Sequence, residues 1–180
     1  APVTPTITNV APANPAGCGT NDGTITVTTN SCDELCLTGK VILGGAYNSG
    51  TNLMRDDLRS QGMIPLTEPY TGLGFPHFNS GETIANSLLT TTGNDAIIDW
   101  VFLELRSTHN EVVATRAALV QADGDLMEID GSNEIKFNTL SGNYYVTVRH
   151  RNHLGVMTNS SLAFGTGACV SVDFTQSSFD

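Results

Sequence analysis

At 180 residues the chain is long enough for one domain with a real core plus a tail or small satellite. Thr, Ser, Asn and Gly abound, 14% of residues are charged and strongly helical runs are scarce, the profile of an all-β secreted chain rather than a cytosolic α/β enzyme. With 18 Asp+Glu against 8 Lys+Arg the formal net charge is −10. Nucleic acid and anionic membrane, which need a basic face, are therefore poor partners, and cations or a protein of complementary charge are better ones.

Residues 1–17, APVTPTITNVAPANPAG, hold four of the seven prolines. Proline removes ladder hydrogen bonds and favours extended chain, so this stretch is expected to be an N-terminal arm, docked on its own domain or on a neighbouring copy. Ala1 in first place fits a mature product freed of its leader. Residues 18–36 read as a small disulfide-linked β segment: Asn21-Asp22-Gly23 is a turn signal, and Ile25 and Val27 share one face of the run Thr24 to Thr29. Residues 37–180 form the main domain.

Cysteines stand at 18, 32, 36 and 169. An even number in such a chain points to two disulfides and an oxidising compartment. Cys18–Cys32 with Cys36–Cys169 is the favoured pairing and Cys32–Cys36 with Cys18–Cys169 the alternative. Zinc is a rival, but no His lies near Cys32 and Cys36 in sequence.

A strand is expected over 38–47, TGKVILGGAY, with Gly44-Gly45 marking a bulge or a close approach. A short surface helix follows, with Asn52 as cap and Met54 and Leu58 on one face. Residues 62–95 are loop-rich, with Pro65, Pro69 and Pro76 and several glycines. A connection this long is unusual unless it is functional or well packed. Its rings Tyr70, Phe75 and Phe78 are expected to anchor it on the sandwich.

Residues 97–151 carry the strongest pattern, four strands in series. Val101, Leu103 and Leu105 alternate with Trp100, Phe102 and Glu104, so this strand is apolar on both faces and belongs at the centre of a sheet, covered on both sides. VVATRAALVQ follows, then the acidic turn ADGDLMEIDG. Tyr144, Val146 and Val148 alternate with Tyr145, Thr147 and Arg149, a strand with one wet face. Leu140, Gly142 and Tyr144 before it match a tyrosine corner, in which the Tyr hydroxyl bonds back to the backbone at a crossover between sheets. HLGVMTNSSLAFG reads as a loop and a short strand. Val170, Val172 and Phe174 mark a last strand. The fold expected is an all-β, immunoglobulin-like antiparallel β-sandwich with an extended N-terminal arm and long loops.

Asp123, Asp125 and Asp130 are the metal candidates, because oxygen ligands at alternate positions around a Gly turn suit calcium. The full calcium-loop pattern is not met, and an acidic hairpin turn explains the same residues. No other cofactor is indicated. His150 and His153, three apart on one strand, would face opposite ways and share no metal. Arg149 and Arg151 are expected to pair with Asp99, Glu104 or Asp130. His77 and His109 lie in turns without an evident partner. G-x-S-x-G, H-E-x-x-H, phosphate-loop and G-x-G-x-x-G patterns are all missing from the sequence.

The segments VILGGAYNSGTNLMRDDLRSQGMIPLTEPY, IIDWVFLELRS, VVATRAALVQADGDLMEIDG and GNYYVTVRHRNHLGVMT resemble a module of large secreted surface proteins of gliding bacteria. Those proteins are exported by the type IX pathway and are often adhesin-like. The resemblance spans about residues 38–175 and implies a β-rich module that is extracellular or at the cell surface. The expected function is a non-catalytic structural protein, the subunit of a self-assembling surface filament or an adhesin module. Polymerisation would proceed by strand addition of the arm, with Val3, Ile7 and Val10 filling pockets on the next copy. The partner would be a further copy of the chain or another surface protein. A carbohydrate-binding module, taking glycans on Tyr47, Tyr70, Phe75 and Phe78, is the alternative.

Overall fold

The computed structural model describes residues 33–78 and 80–176. The arm, Val3, Ile7, Val10, Cys18 and Cys32 lie outside the described residues.

Among the described residues eleven strands and one short α-helix run in the order β1 (Asp33–Lys40), β2 (Tyr47–Asn48), β3 (Leu53–Met54), α1 (Asp57–Ser60), β4 (Ile97–Thr108), β5 (Glu111–Gln121), β6 (Leu126–Met127), β7 (Ile135–Thr139), β8 (Gly142–His150), β9 (His153–Met157), β10 (Leu162–Phe164) and β11 (Cys169–Asp173), with 3₁₀ turns at Asn86–Thr90 and Gly93–Asp95. The larger sheet has the order β10-β8-β4-β5-β6, and β9 also pairs with β8; the smaller has the order β11-β1-β7. They form a β-sandwich. All pairs are antiparallel except β1 and β11, which run parallel.

β4 is central because both its faces are apolar. Ile98, Val101, Leu103 and Leu105 point into the space between the sheets. There they meet Leu35 and Leu37 of β1, Ile135 and Phe137 of β7, Val172 of β11, and Val146 and Val148 of β8. Burying each such side chain contributes roughly 1.5–3 kcal/mol. Trp100 and Phe102 point the other way and are also fully buried. The loop-rich segment covers them: Ile64, Tyr70 and Ile84, with Phe75 and Leu88 partly buried, pack on Trp100, Phe102, Ala117 and Leu119. The long connection is thus a third layer on the sheet's outer face. The Tyr70 hydroxyl donates to the Trp100 carbonyl (2.7 Å) and Trp100 Nε1 donates to the Pro65 carbonyl (2.8 Å).

The Tyr144 hydroxyl donates to the Leu140 carbonyl at 2.7 Å, which is the corner geometry read in the sequence. Its ring folds back over residue 142, where a Cβ would lie 3.1 Å from the hydroxyl oxygen, so glycine suits that position. Gly39 allows a second close approach: a Cβ there would sit 2.9 Å from Val172 Cγ2, between β1 and β11.

Several expectations change. The strand placed at 38–47 ends at Lys40, because its ladders run from Asp33 to Lys40 against β7 and β11. The boundary drawn at 36/37 falls inside β1. The short helix is Asp57–Ser60, and Asn52 is not its cap but a turn residue at φ +57. Residues 153–157, expected as loop, pair with β8 as β9. The outer face of β8 is drier than expected: Thr147 is buried, between Glu104 of β4 and Met157 of β9.

Candidate functional site

Polar side chains converge in four places on this scaffold. On the outer face of the large sheet, His77 of the loop layer sits over Thr115 of β5. The Thr115 hydroxyl donates to the Phe78 carbonyl (3.2 Å) and accepts from the Phe78 amide (2.7 Å). The same hydroxyl oxygen lies 2.9 Å from His77 Nδ1, within hydrogen-bond distance. His77 Nε2 faces Glu82 Oε2 at 2.8 Å, and a carboxylate only accepts, so Nε2 donates to it. Both side chains are almost fully buried.

Glu82 also accepts from the Ala117 amide (3.3 Å) and lies 3.6 Å from Arg116. Arg116 in turn grips Glu128, with Nη2 at 2.6 Å from Oε1. Burial works against the Arg116 charge, but Glu128, Glu82 and Asp130 outweigh it and hold its pKa above the usual value. Nearby Glu68 accepts from the Tyr70 amide (2.6 Å), the Thr71 amide (3.1 Å) and the Thr71 hydroxyl. Burial opposes its charge, yet these donors keep its carboxyl below the ordinary range.

Glu68, His77 and Glu82 each bring one ligand atom within 4.8 Å of the others, a donor set that a divalent ion accepts. As they stand, the ring nitrogens and carboxylates are bonded to one another and to backbone. The arrangement clamps the loop layer to β5.

A second centre is Glu104, fully buried on β4. Its Oε2 accepts from Arg106 Nε (2.8 Å) and Nη2 (2.6 Å), and its Oε1 accepts from Arg149 Nη1 (3.0 Å). Arg149 lies 4.5 Å over the Phe75 ring. The third centre is Asp99, whose Oδ2 meets Arg151 Nη2 (2.6 Å) and His150 Nε2 (3.1 Å). The ion pairs expected of Arg149 and Arg151 form with Glu104 and Asp99. Asp130 binds instead the Ser132 amide of its own turn at 2.8 Å.

His150 and His153 correct the expectation that they diverge. They do not lie on one strand: a turn at Arg151 and Asn152 places them opposite each other across β8 and β9. Their Nδ1 atoms are 3.0 Å apart. His153 Nε2 accepts from the Gly45 amide (3.2 Å), so its proton is on Nδ1 and points to His150 Nδ1. His150 then donates from Nε2 to Asp99. A relay of hydrogen bonds through the two rings thus links the Gly44-Gly45 turn to β4. Burial, and then the neighbouring His150, hold the His153 pKa below the usual histidine value, with Asp99 opposing. The close approach read at Gly45 is this contact, since a Cβ there would lie 3.1 Å from His153 Nε2.

The fourth centre is the acidic turn. Asp123 and Asp125 face Lys40 Nζ at 3.9 and 2.7 Å. The Lys40 ammonium thus pairs with two of the three calcium candidates, and Asp130 is engaged in a separate turn. Burial disfavours the Lys40 charge, but Asp125, Asp123 and Asp173 outweigh it and raise its pKa.

Cys36 and Cys169 are opposite each other on β1 and β11 and form a disulfide. This is one bridge of the favoured pairing, and it rules out Cys32–Cys36 and a zinc site on Cys36. Of the four rings proposed for glycans, Tyr70 is fully buried, and Phe75 packs on Tyr70 and Phe102 with centroids 5.0 and 5.3 Å away. Tyr47 and Phe78 are exposed. A cleft of about 330 Å³, lined by Leu88, Asp95, Gln121 and Met127 among others, has Asp95 as its one ionisable side chain.

The network of His77, Glu82, Glu68, Thr115, Arg116 and Glu128 was not legible in the sequence. Its members come from a Pro- and Gly-rich loop and from β5 and the residue after β6, 33 or more positions further along the chain. The sole hint was a histidine without a neighbour to explain it. No protein-family model matches the chain, and comparison with curated proteins and with solved structures finds no match.

Proposed function

We propose that the chain is a non-catalytic extracellular structural protein, the subunit of a self-assembling surface filament or an adhesin module of the kind carried by large secreted surface proteins of gliding bacteria. The observation that carries this reading is the position of the disulfide. Among the described residues Cys36 lies in the first strand and Cys169 in the last, 133 residues apart in sequence and adjacent in space. A pull that enters through the chain before β1 and leaves through the chain after β11 passes across the sulfur–sulfur bond. Everything between the two cysteines is bypassed. A module built this way transmits tension without unfolding, which is what a filament or an adhesive stalk requires.

Other features support the same reading. Buried ionisable side chains are bonded to one another and to backbone, which fastens three layers together. The sheet order β8-β4-β5-β6 faces β1-β7, and a tyrosine corner leads from β7 into β8. That arrangement supports an immunoglobulin-like module. The disulfide fits an oxidising compartment, and among the described residues no helix is long and apolar enough to cross a membrane. Glycan binding has less support, because two of its four rings are packed inside.

In this reading residues 1–15 pair with a sheet edge of the next copy. Such a head-to-tail contact need not close, so it gives fibres. Electron microscopy of the purified full chain and of a variant lacking residues 1–15 tests it: fibres from the first and none from the second are expected. Undiminished fibres without the arm would rule the mechanism out.

A further inference from the structure

Resting on that strand-addition reading, we propose that the acceptor edge is β9, and that its occupant is residues 3–10 of a second copy. Among the described residues β9 has β8 as its one strand partner, so the far side of His153–Met157 is an open edge of the larger sheet. Leu154 is 96% exposed and Val156 36% exposed. Val156 pairs with Val148, whose side chain is in the core between the sheets. Val156 therefore points to the same side as that core yet is exposed, and Leu154, which falls in the register shift between Val148 and His150, projects into solvent. An added strand would shelter both.

Natural sheet edges are guarded by Lys, Pro or inward-pointing charge. This edge has none of these; its one irregularity is the register shift between Val148 and His150, beside the turn. Residues 152–172 contain no Asp, Glu, Lys, Arg or Pro in a chain of net charge −10. The other charge-free tract of that length is residues 1–21. Between two copies of so acidic a protein, an uncharged arm on an uncharged edge is the contact that avoids carboxylate repulsion.

The chemistry of the arm fits. Pro5 lacks an amide proton, so on a docked strand its backbone must face away from β9. Residues 3, 5 and 7 then turn their backbone outwards, and Thr4, Thr6 and Thr8 present amides and carbonyls to the edge. Val3 and Ile7 fall on one face, where Val156 needs cover, with the exposed Leu154 beside it. The 32 residues that precede β1 span at most about 110 Å when extended, ample to reach a neighbour.

The test compares three full-length proteins by electron microscopy and sedimentation: the unaltered chain, the chain without residues 1–15, and the double variant Leu154→Lys with Val156→Lys. Both substituted side chains are exposed, so an unchanged thermal midpoint checks that the variant folds; Leu154→Lys alone is the reserve. Fibres from the unaltered chain, with at least a tenfold loss in polymer for both altered proteins, are expected. If the lysine variant polymerises normally while arm deletion stops assembly, β9 is not the acceptor and strand addition stands. If the lysine variant fails while the deleted chain still polymerises, the arm is not the occupant. Fibres from all three, or from none, would overturn the inference together with the reading beneath it.

Discussion

Glu104 is fully buried and balances two guanidinium groups from different strands. Glu104→Ala leaves Arg106 and Arg149 without a counter-charge beside the Trp100 and Phe102 layer. Removing one partner of a buried pair costs about 3–5 kcal/mol. Both arginines are part-exposed and can turn to water, so chemical denaturation is expected to show the lower end of that range. A loss under about 1 kcal/mol would mean that the pair is as weak as a surface one. Glu104→Gln, which keeps the shape and one acceptor, is expected to lose less. Single residues were unequally legible in the sequence. Tyr144 with Gly142 and Leu140 could be read because the corner is a local motif, bonded across four residues. Arg149 and Arg151 could be paired with acids because charges on a buried strand need partners. His77 could not be placed, because its two partners are fixed only once the loop layer folds onto β5.

At the scale of elements, the hairpin of β8 and β9 carries the pH sensitivity. His153 is held neutral by burial, by His150 and by the Gly45 amide that its Nε2 accepts, with Asp99 opposing through His150 and Arg151 pairing with Asp99. Its folded pKa lies below the unfolded value of 6.5. The unfolded chain therefore takes up the proton first. The stabilisation is whole above about pH 6.5 and is lost as pH falls through the folded value. The denaturation midpoint is expected to drop between pH 7.5 and 5, with a shallower drop in His153→Gln. Equal slopes in the two proteins would show that the relay does not respond to pH. The hairpin also shows why short elements resist reading. HLGVM has a Gly at its centre and two exposed apolar side chains, so neither alternation nor propensity marks a strand. Its pairing with β8 makes it one. The stretch 41–46 errs the other way. Val41-Ile-Leu43 is as apolar as a strand, yet Val41 and Leu43 close one end of the core without a ladder.

For the whole molecule, the sandwich itself was readable from β4. A strand apolar on both faces needs two covers, and the chain offers a second sheet and one long loop to supply them. The role of the loop as a packed third layer follows from Tyr70, Phe75 and Trp100, the rings noted in the sequence. The parallel pairing of first and last strands was not visible, since nothing in either strand sets its direction, although the bridge between Cys36 and Cys169 was. That bridge is the centre of the functional account, and pulling on it tests the account most directly. Single molecules held before β1 and after β11 are stretched with the disulfide intact and then with reductant present. With the bridge intact, the 133-residue span between the cysteines should stay shut at forces that unfold the reduced molecule. Reduction should then release about 450 Å of chain, at roughly 3.4 Å per residue. Release of that length from the oxidised molecule would contradict the account, because the load would then run through the sheets and not through the staple.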